Sequence, residues 1–225
     1  MKKRITSLLL ALVMLVSLLP TGAMAEENQS DTPPAENGAA ISESTPPSIL
    51  RVNGVEILTT EDYTVTCGAG TAVYDSNTNT LTLNNATIDT GEKDFSLNAG
   101  IYALGSLNIK LTGTSTIAAE SSQIGQGVYI NNGNLTVTGD GSLVATGDGP
   151  GIHAWGLTVN SGTIRATGSD GIRVEEGDIT VNGGDLTCTG TSYSGIEIFG
   201  DSMTVTAEEL IDLPDGYLPA GSRQS

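Results

Sequence analysis

Between Gly100 and Val205 the chain repeats a pattern of hydrophobic and polar positions more faithfully than it repeats any one sequence. One phrase recurs as Gly100-Ile101-Tyr102-Ala103, Gly127-Val128-Tyr129-Ile130, Gly151-Ile152-His153-Ala154, Gly171-Ile172-Arg173-Val174 and Gly195-Ile196-Glu197-Ile198. A second follows each time, as Leu107-Asn108-Ile109, Leu135-Thr136-Val137, Leu157-Thr158-Val159, Ile179-Thr180-Val181 and Met203-Thr204-Val205. A third closes four of the units, as Ile117-Ala118-Ala119, Leu143-Val144-Ala145, Ile164-Arg165-Ala166 and Leu186-Thr187-Cys188. Such short alternating runs, rich in β-branched side chains and bounded by Gly, Asn, Asp or Ser, predict strands buried on one face and joined by tight turns.

Three strands recurring about every 20–27 residues predict a three-sided coil. Equivalent strands of successive coils then stack in parallel, and no coil is stable without its neighbours. The predicted fold is all-β, a single-stranded parallel β-helix of about five coils, right-handed by the general preference of crossover connections. Leu81-Thr82-Leu83 with Ile88 reads as an earlier partial coil, and Ile49 to Tyr74 supplies β-rich sequence to cap the N-terminal end. The β-helix domain is thus expected over 49–206. Residues 207–225, with Pro214, Asp215-Gly216 and Pro219, read as a tail or as the start of a further region.

Ahead of the repeats lie a basic start, Met1 to Arg4, an apolar run from Ile5 to Leu19, and Ala23-Met24-Ala25. Residues 1–25 have the form of a secretory signal peptide, which places the mature chain outside the cell or on its surface, with no membrane insertion after cleavage. Residues 26–48 carry too few large apolar side chains to offset chain entropy and are expected to be a disordered linker. Acidic residues number 26 against 9 basic, a net charge of −17; losing Lys2, Lys3 and Arg4 leaves 9 − 3 = 6 basic residues and 6 − 26 = −20. Nucleic acid is excluded as a partner by that charge. Neutral surfaces, cations and cation-bridged acidic polymers remain, for a chain expected to be a monomer. Cys188 is expected in one inward column with Ala119, Ala145 and Ala166, a small buried hydrophobe separated by several coils from Cys67, so no disulfide is expected.

The alternation also assigns the outward positions. Tyr102, Tyr129, His153, Arg173 and Glu197 form one outward column, beside Leu104, Asn131, Trp155, Glu175 and Phe199. Four of the nine Phe, Trp and Tyr residues therefore share one face. Tyr102, Tyr129, Trp155 and Phe199, with polar help from Asn131 and His153, are the candidate carbohydrate-binding residues, because aromatic rings offer flat apolar surfaces to the C–H faces of sugars. The competing reading is that the rings only stabilise the stack by cross-strand contact. Acids gather at one end of the face. Glu175, Glu176, Asp178, Glu197 and Asp201 are the candidate ligands for Ca²⁺, which takes about 6–8 oxygens; the alternative is a solvated patch partly neutralised by Arg173. Asp148 and Asp170 precede Gly-Ile phrases and read as turn formers.

The stretch Tyr74-Asp75-Ser76-Asn77-Thr78-Asn79-Thr80-Leu81-Thr82-Leu83-Asn84-Asn85-Ala86-Thr87-Ile88, with the phrases that follow it, resembles secreted β-helix proteins of Gram-positive anaerobes. These are described as carbohydrate-binding domain proteins, similar in fold to pectate lyases and including non-catalytic binders of acidic plant polysaccharide. Over about residues 50–206 the resemblance implies extracellular glycan binding aided by calcium, and it transfers no ligand residue. The Gly-His-Gly and Arg-Ile-Lys signatures of polygalacturonase-like β-helices are absent, since His153 stands in Gly-Ile-His-Ala. No facing pair of carboxylates suited to glycan hydrolysis can be assigned either. The expectation is a non-catalytic polysaccharide binder; the alternatives are a structural or adhesive surface stalk and, less favoured, a lyase or hydrolase.

Overall fold

A strand that buries alternate side chains needs a hydrophobic neighbour on one side and hydrogen-bonding partners on both edges. In the computed structural model, which describes residues 45–90, 99–119, 124–200 and 202–205, the chain meets both needs by winding on itself. Strands β1 (Ile49–Val52), β2 (Val55–Glu56), β3 (Thr64–Cys67), β4 (Gly70–Asp75), β5 (Thr80–Asn84) and β6 (Thr87–Asp89) precede the repeats. Four complete coils follow: β7 (Ala99–Leu104), β8 (Leu107–Thr112) and β9 (Thr114–Ala119); β10 (Gln126–Asn131), β11 (Asn134–Gly139) and β12 (Ser142–Gly147); β13 (Ile152–Ala154), β14 (Gly156–Val159) and β15 (Thr163–Gly168); β16 (Ile172–Val174), β17 (Ile179–Val181) and β18 (Asp185–Gly190). Strands β19 (Ile196–Ile198) and β20 (Met203–Val205) begin the next.

Equivalent strands pair in parallel into three sheets, making a right-handed parallel β-helix of about five turns. The first sheet stacks β7, β10, β13, β16 and β19, the second β5, β8, β11, β14, β17 and β20, and the third β6, β9, β12, β15 and β18. At the N-terminal end β1 runs antiparallel to β7, with β2 beyond it, and β4 runs antiparallel to β5, with β3 beyond. The reversal closes that end with hairpins whose edge strands are only two and four residues long, short edges being less prone to unwanted pairing.

The inward positions form continuous columns. Ile101, Val128, Ile152, Ile172 and Ile196 follow one another in register in the first sheet, and Ile109, Val137, Val159 and Val181 in the second; all are buried. Gly100, Gly127, Gly151 and Gly171, which open successive first-sheet phrases, are required by space, not by φ angle. A Cβ on Gly151 would lie 2.7 Å from Thr167 N and 2.8 Å from Gly171 O, closer than real contacts allow.

Two expectations are corrected. Ala145 pairs with Ile117, while Ala119 lies beside Gly147, so β9 is two residues out of the expected alignment and Ala119 is not in the column of Ala145, Ala166 and Cys188. The reason is Ser115, buried opposite Leu143, whose Oγ accepts a hydrogen bond from Ala86 N at 3.1 Å and so substitutes for an apolar residue. A two-residue slip preserves the pleat, and Ile117 and Ala119 still face inward. The linker boundary moves as well: Thr45 O accepts from Ser106 N at 2.9 Å and Ser48 N donates to Leu104 O at 2.8 Å, so residues 45–48 lie along the first coil. Cys67 and Cys188 are both free and buried, and burial pushes the Cys188 thiol up to about 12. The expected signal peptide over 1–25, residues 26–44 of the expected linker and the expected tail over 207–225 lie outside the described residues.

Candidate functional site

The corner between the first and second sheets changes length from coil to coil. Asn132-Gly133 turns the second coil, Trp155 alone turns the third, and Glu175-Glu176-Gly177-Asp178 turns the fourth. Asn132 takes a left-handed φ of 55°, which Asn tolerates better than other non-glycine residues. Backbone bonds fasten these corners to one another. Trp155 N donates to Gly133 O at 3.0 Å, and the Trp155 carbonyl receives both Glu176 N at 3.2 Å and Gly177 N at 2.6 Å. A one-residue corner between a two-residue and a four-residue corner leaves a recess. There lies a shallow depression of about 290 Å³, lined by Tyr129, Asn131, His153, Trp155, Glu175 and Glu176 together with Ile130 and Asn132.

The outward column is assembled as the alternation requires: Tyr102, Tyr129, His153, Arg173 and Glu197 follow one another in register. The rings of Tyr129 and His153 stack at 4.8 Å with planes 18° apart, and Tyr102 tilts against Tyr129 at 5.5 Å. Rings stacked along the column turn their faces to each other and their edges outward, which is the cross-strand role. Phe199 is 56% exposed, with Arg173 Cζ 4.8 Å from its ring centroid. Tyr102 departs from the expectation of an exposed platform. It is only 4% exposed, because the capping strand β1 crosses it with Arg51 directly opposite, and Asn131 Nδ2 reaches its hydroxyl at 3.4 Å. Trp155 is half-buried and, among the described residues, has no ring partner.

A charged network joins His153 and Glu175, which line the depression, to the residues beside them. His153 Nδ1 lies 2.7 Å from Gln126 Oε1 and Nε2 lies 2.9 Å from Glu175 Oε1. Glu175 Oε1 also accepts from Arg173 Nε at 2.9 Å, and Arg173 Nη1 reaches Glu197 Oε2 at 3.2 Å. Two influences oppose each other at His153: burial disfavours the imidazolium, while Glu175 favours it. Burial prevails, and the pKa falls below the ordinary imidazole value. A neutral ring satisfies both contacts if Nε2–H donates to Glu175 and Nδ1 accepts from the Gln126 amide, whose oxygen and nitrogen are assigned by such partners. For Glu175, burial alone would raise the pKa, yet the hydrogen bonds from Arg173 and His153 outweigh it and hold the carboxyl below its usual range.

No protein-family profile, curated protein or solved structure matches this chain. The site therefore stands on its own geometry.

Three of the acidic candidates are engaged by protein partners. Glu175 and Glu197 are turned onto Arg173, and Asp178 Oδ1 accepts from Ser202 N at 2.8 Å and Ser202 Oγ at 2.9 Å. Among the described residues no three of His, Cys, Asp and Glu are grouped to hold a metal, and Asp201 lies outside those residues. As placed, the Arg173 guanidinium lies between Glu175 and Glu197 and neutralises part of this acidic end. Asp170 is more than a turn former: buried, it accepts a hydrogen bond from Ser194 N at 3.2 Å and ties two successive coils. Alternation could not have found Gln126 or Asn132. Gln126 bonds diagonally from a strand end, and Asn132 belongs to a corner; the Asn-Gly pair was the only available signal for the latter.

Proposed function

We propose that this protein is an extracellular, non-catalytic carbohydrate-binding β-helix that takes glycan at the Trp155 corner. The observation that carries this reading is an indole with no ring partner among the described residues, set in a depression beside the amides of Asn131 and Asn132. Aromatic faces flanked by side-chain amides suit sugars, which present C–H patches between hydroxyls. The reading narrows the binding residues to Trp155, Asn131, Asn132 and the edges of Tyr129 and His153. Phe199 offers a second ring further along, and Tyr102 supports the stack from beneath β1.

A binding role is favoured over hydrolysis by the state of Glu175. A glycosidase acid needs a carboxyl whose pKa is raised so that it holds a proton at neutral pH. Arg173 and His153 shift Glu175 in the opposite direction. The resemblance to secreted glycan binders and the export-like N-terminus support an extracellular setting.

The test begins with an array of plant, fungal and bacterial polysaccharides, followed by calorimetry on the best glycan with Trp155→Ala. Loss of an aromatic contact worth about 0.5–1.5 kcal/mol predicts a roughly two- to twelvefold weaker Kd, with little change in melting temperature. Undiminished binding by the variant moves the site elsewhere. The second reading, a structural stalk, is favoured by the Tyr129–His153 stack and the Arg173–Phe199 contact, both of which run along the coil axis. Failure of every polysaccharide to bind would leave the stalk as the better account.

A further inference from the structure

The charge of the depression bears on which sugars it takes. Arg173 is the one basic residue of the outward column, and it is already held between Glu175 and Glu197 with its guanidinium over Phe199. The other described basic residues are remote in the fold or engaged: Arg51 pairs with Glu56 at 3.3 Å, Lys110 belongs to β8 in the second sheet, and Arg165 to β15 in the third. Glu176 is exposed on the rim, one backbone hydrogen bond from Trp155, and has no ion-pair partner among the described residues. Glu175 and Glu176 line the depression and Arg173 reaches only Glu175 there, giving 1 − 2 = −1, while the other partner of Arg173, Glu197, adds a further carboxylate outside the lining. His153 adds no balancing charge at neutral pH, since burial disfavours its imidazolium.

We infer that the Trp155 depression selects sugars bearing free amino groups and rejects uronic-acid polymers. A uronate carboxylate placed on the indole would meet carboxylates, with no unpaired cation beside it among the described residues to receive it. A protonated sugar amine in the same place has Glu176 as an ion-pair partner and the indole face as a cation–π surface. The inference rests on the proposed glycan site and gives its charge class. It also runs against the acidic polysaccharide that the family resemblance implies, for which the column offers no free cation.

The experiment uses the full mature chain and three probes: a glucosamine oligomer, the same oligomer fully N-acetylated, and an oligogalacturonate, each titrated calorimetrically at a pH where the amine is charged. The glucosamine oligomer is expected to bind about fivefold more tightly than its N-acetylated form, the upper end of what one exposed ion pair contributes. The oligogalacturonate should bind least. In Glu176→Gln the ratio of the two amino-sugar affinities should fall to the smaller preference that the indole cation–π contact sustains, and high salt should lower the ratio in the parent. Equal binding of both oligomers, a preference undiminished in Glu176→Gln, or tighter binding of oligogalacturonate would overturn the charge selection while leaving a glycan site in place. If none of the three binds, the charge selection is overturned and the site is judged on the polysaccharide array; if Trp155→Ala leaves all affinities unchanged, the site itself is refuted and the selection with it.

Discussion

His153 shows how a single side chain serves both the stack and the rim. Its ring lies on Tyr129, one nitrogen meets Gln126 and the other meets Glu175, and with its side chain only 15% exposed it has exchanged most of its water for these contacts. The folded chain therefore takes up the imidazole proton only below the ordinary value of 6.5, whereas the unfolded chain takes it up at that value. Between the two, the unfolded state holds more protons, so stability falls as pH drops below 6.5. Glu175 acts in the same direction lower down: its stabilisation is complete above the ordinary carboxyl value of 4.5 and is lost as pH falls through its depressed folded pKa. Thermal melts from pH 7.5 to 5 should show a declining midpoint, and His153→Gln should flatten the decline near pH 6. A variant with the same slope as the parent would locate the titrating group elsewhere.

At the scale of the element, repetition is imposed by the close approach of coils at the corners. Gly127, Gly151 and Gly171 open successive first-sheet strands where the next coil's backbone lies against the Cα. Gly151→Ala should destabilise the fold by about 1–3 kcal/mol, the usual cost of overpacking, visible as a lower melting temperature with an unchanged β spectrum. A melting temperature equal to the parent's would mean that the corner has room to spare. Strand identity, sheet membership and the outward order from Tyr102 to Glu197 were legible in the sequence because a period of two leaves no freedom once one face is buried. The alignment of β9 was not, since Ser115 is polar yet inward and finds its partner in Ala86 N, which no local pattern announces. The depression was equally hidden. It depends on corner lengths of two, one and four residues in adjacent coils, and phrase alignment discards the residues between phrases. A platform was expected, whereas the column is half self-stacked and the recess lies beside it.

For the molecule as a whole, stability depends on contacts between coils, because the strands of one coil meet across the interior but find their hydrogen-bonding partners and most of their packing in the coils on either side. Val159 tests this most sharply. It is fully buried on β14, in register between Val137 and Val181, in the third of four complete coils. Aspartate there would place a carboxylate in an apolar column with no cation and no hydrogen-bond donor to spare, costing several kcal/mol even after relaxation, against a total stability of about 5–15 kcal/mol for an ordinary domain. The damage also spreads by position. Losing the third coil separates the fourth from the capped N-terminal coils and leaves it with the beginning of one further turn as its neighbour. Val159→Asp should therefore abolish the parent's cooperative melt. Thr158→Asp is the control: one residue earlier on the same strand, it faces outward between Thr136 and Thr180 and should shift stability by no more than about 0.5 kcal/mol, as surface changes do. Circular dichroism melts of the two variants decide the matter. A native melt for Val159→Asp, or equal damage from both substitutions, would contradict the inward column and the stacked-coil account of stability.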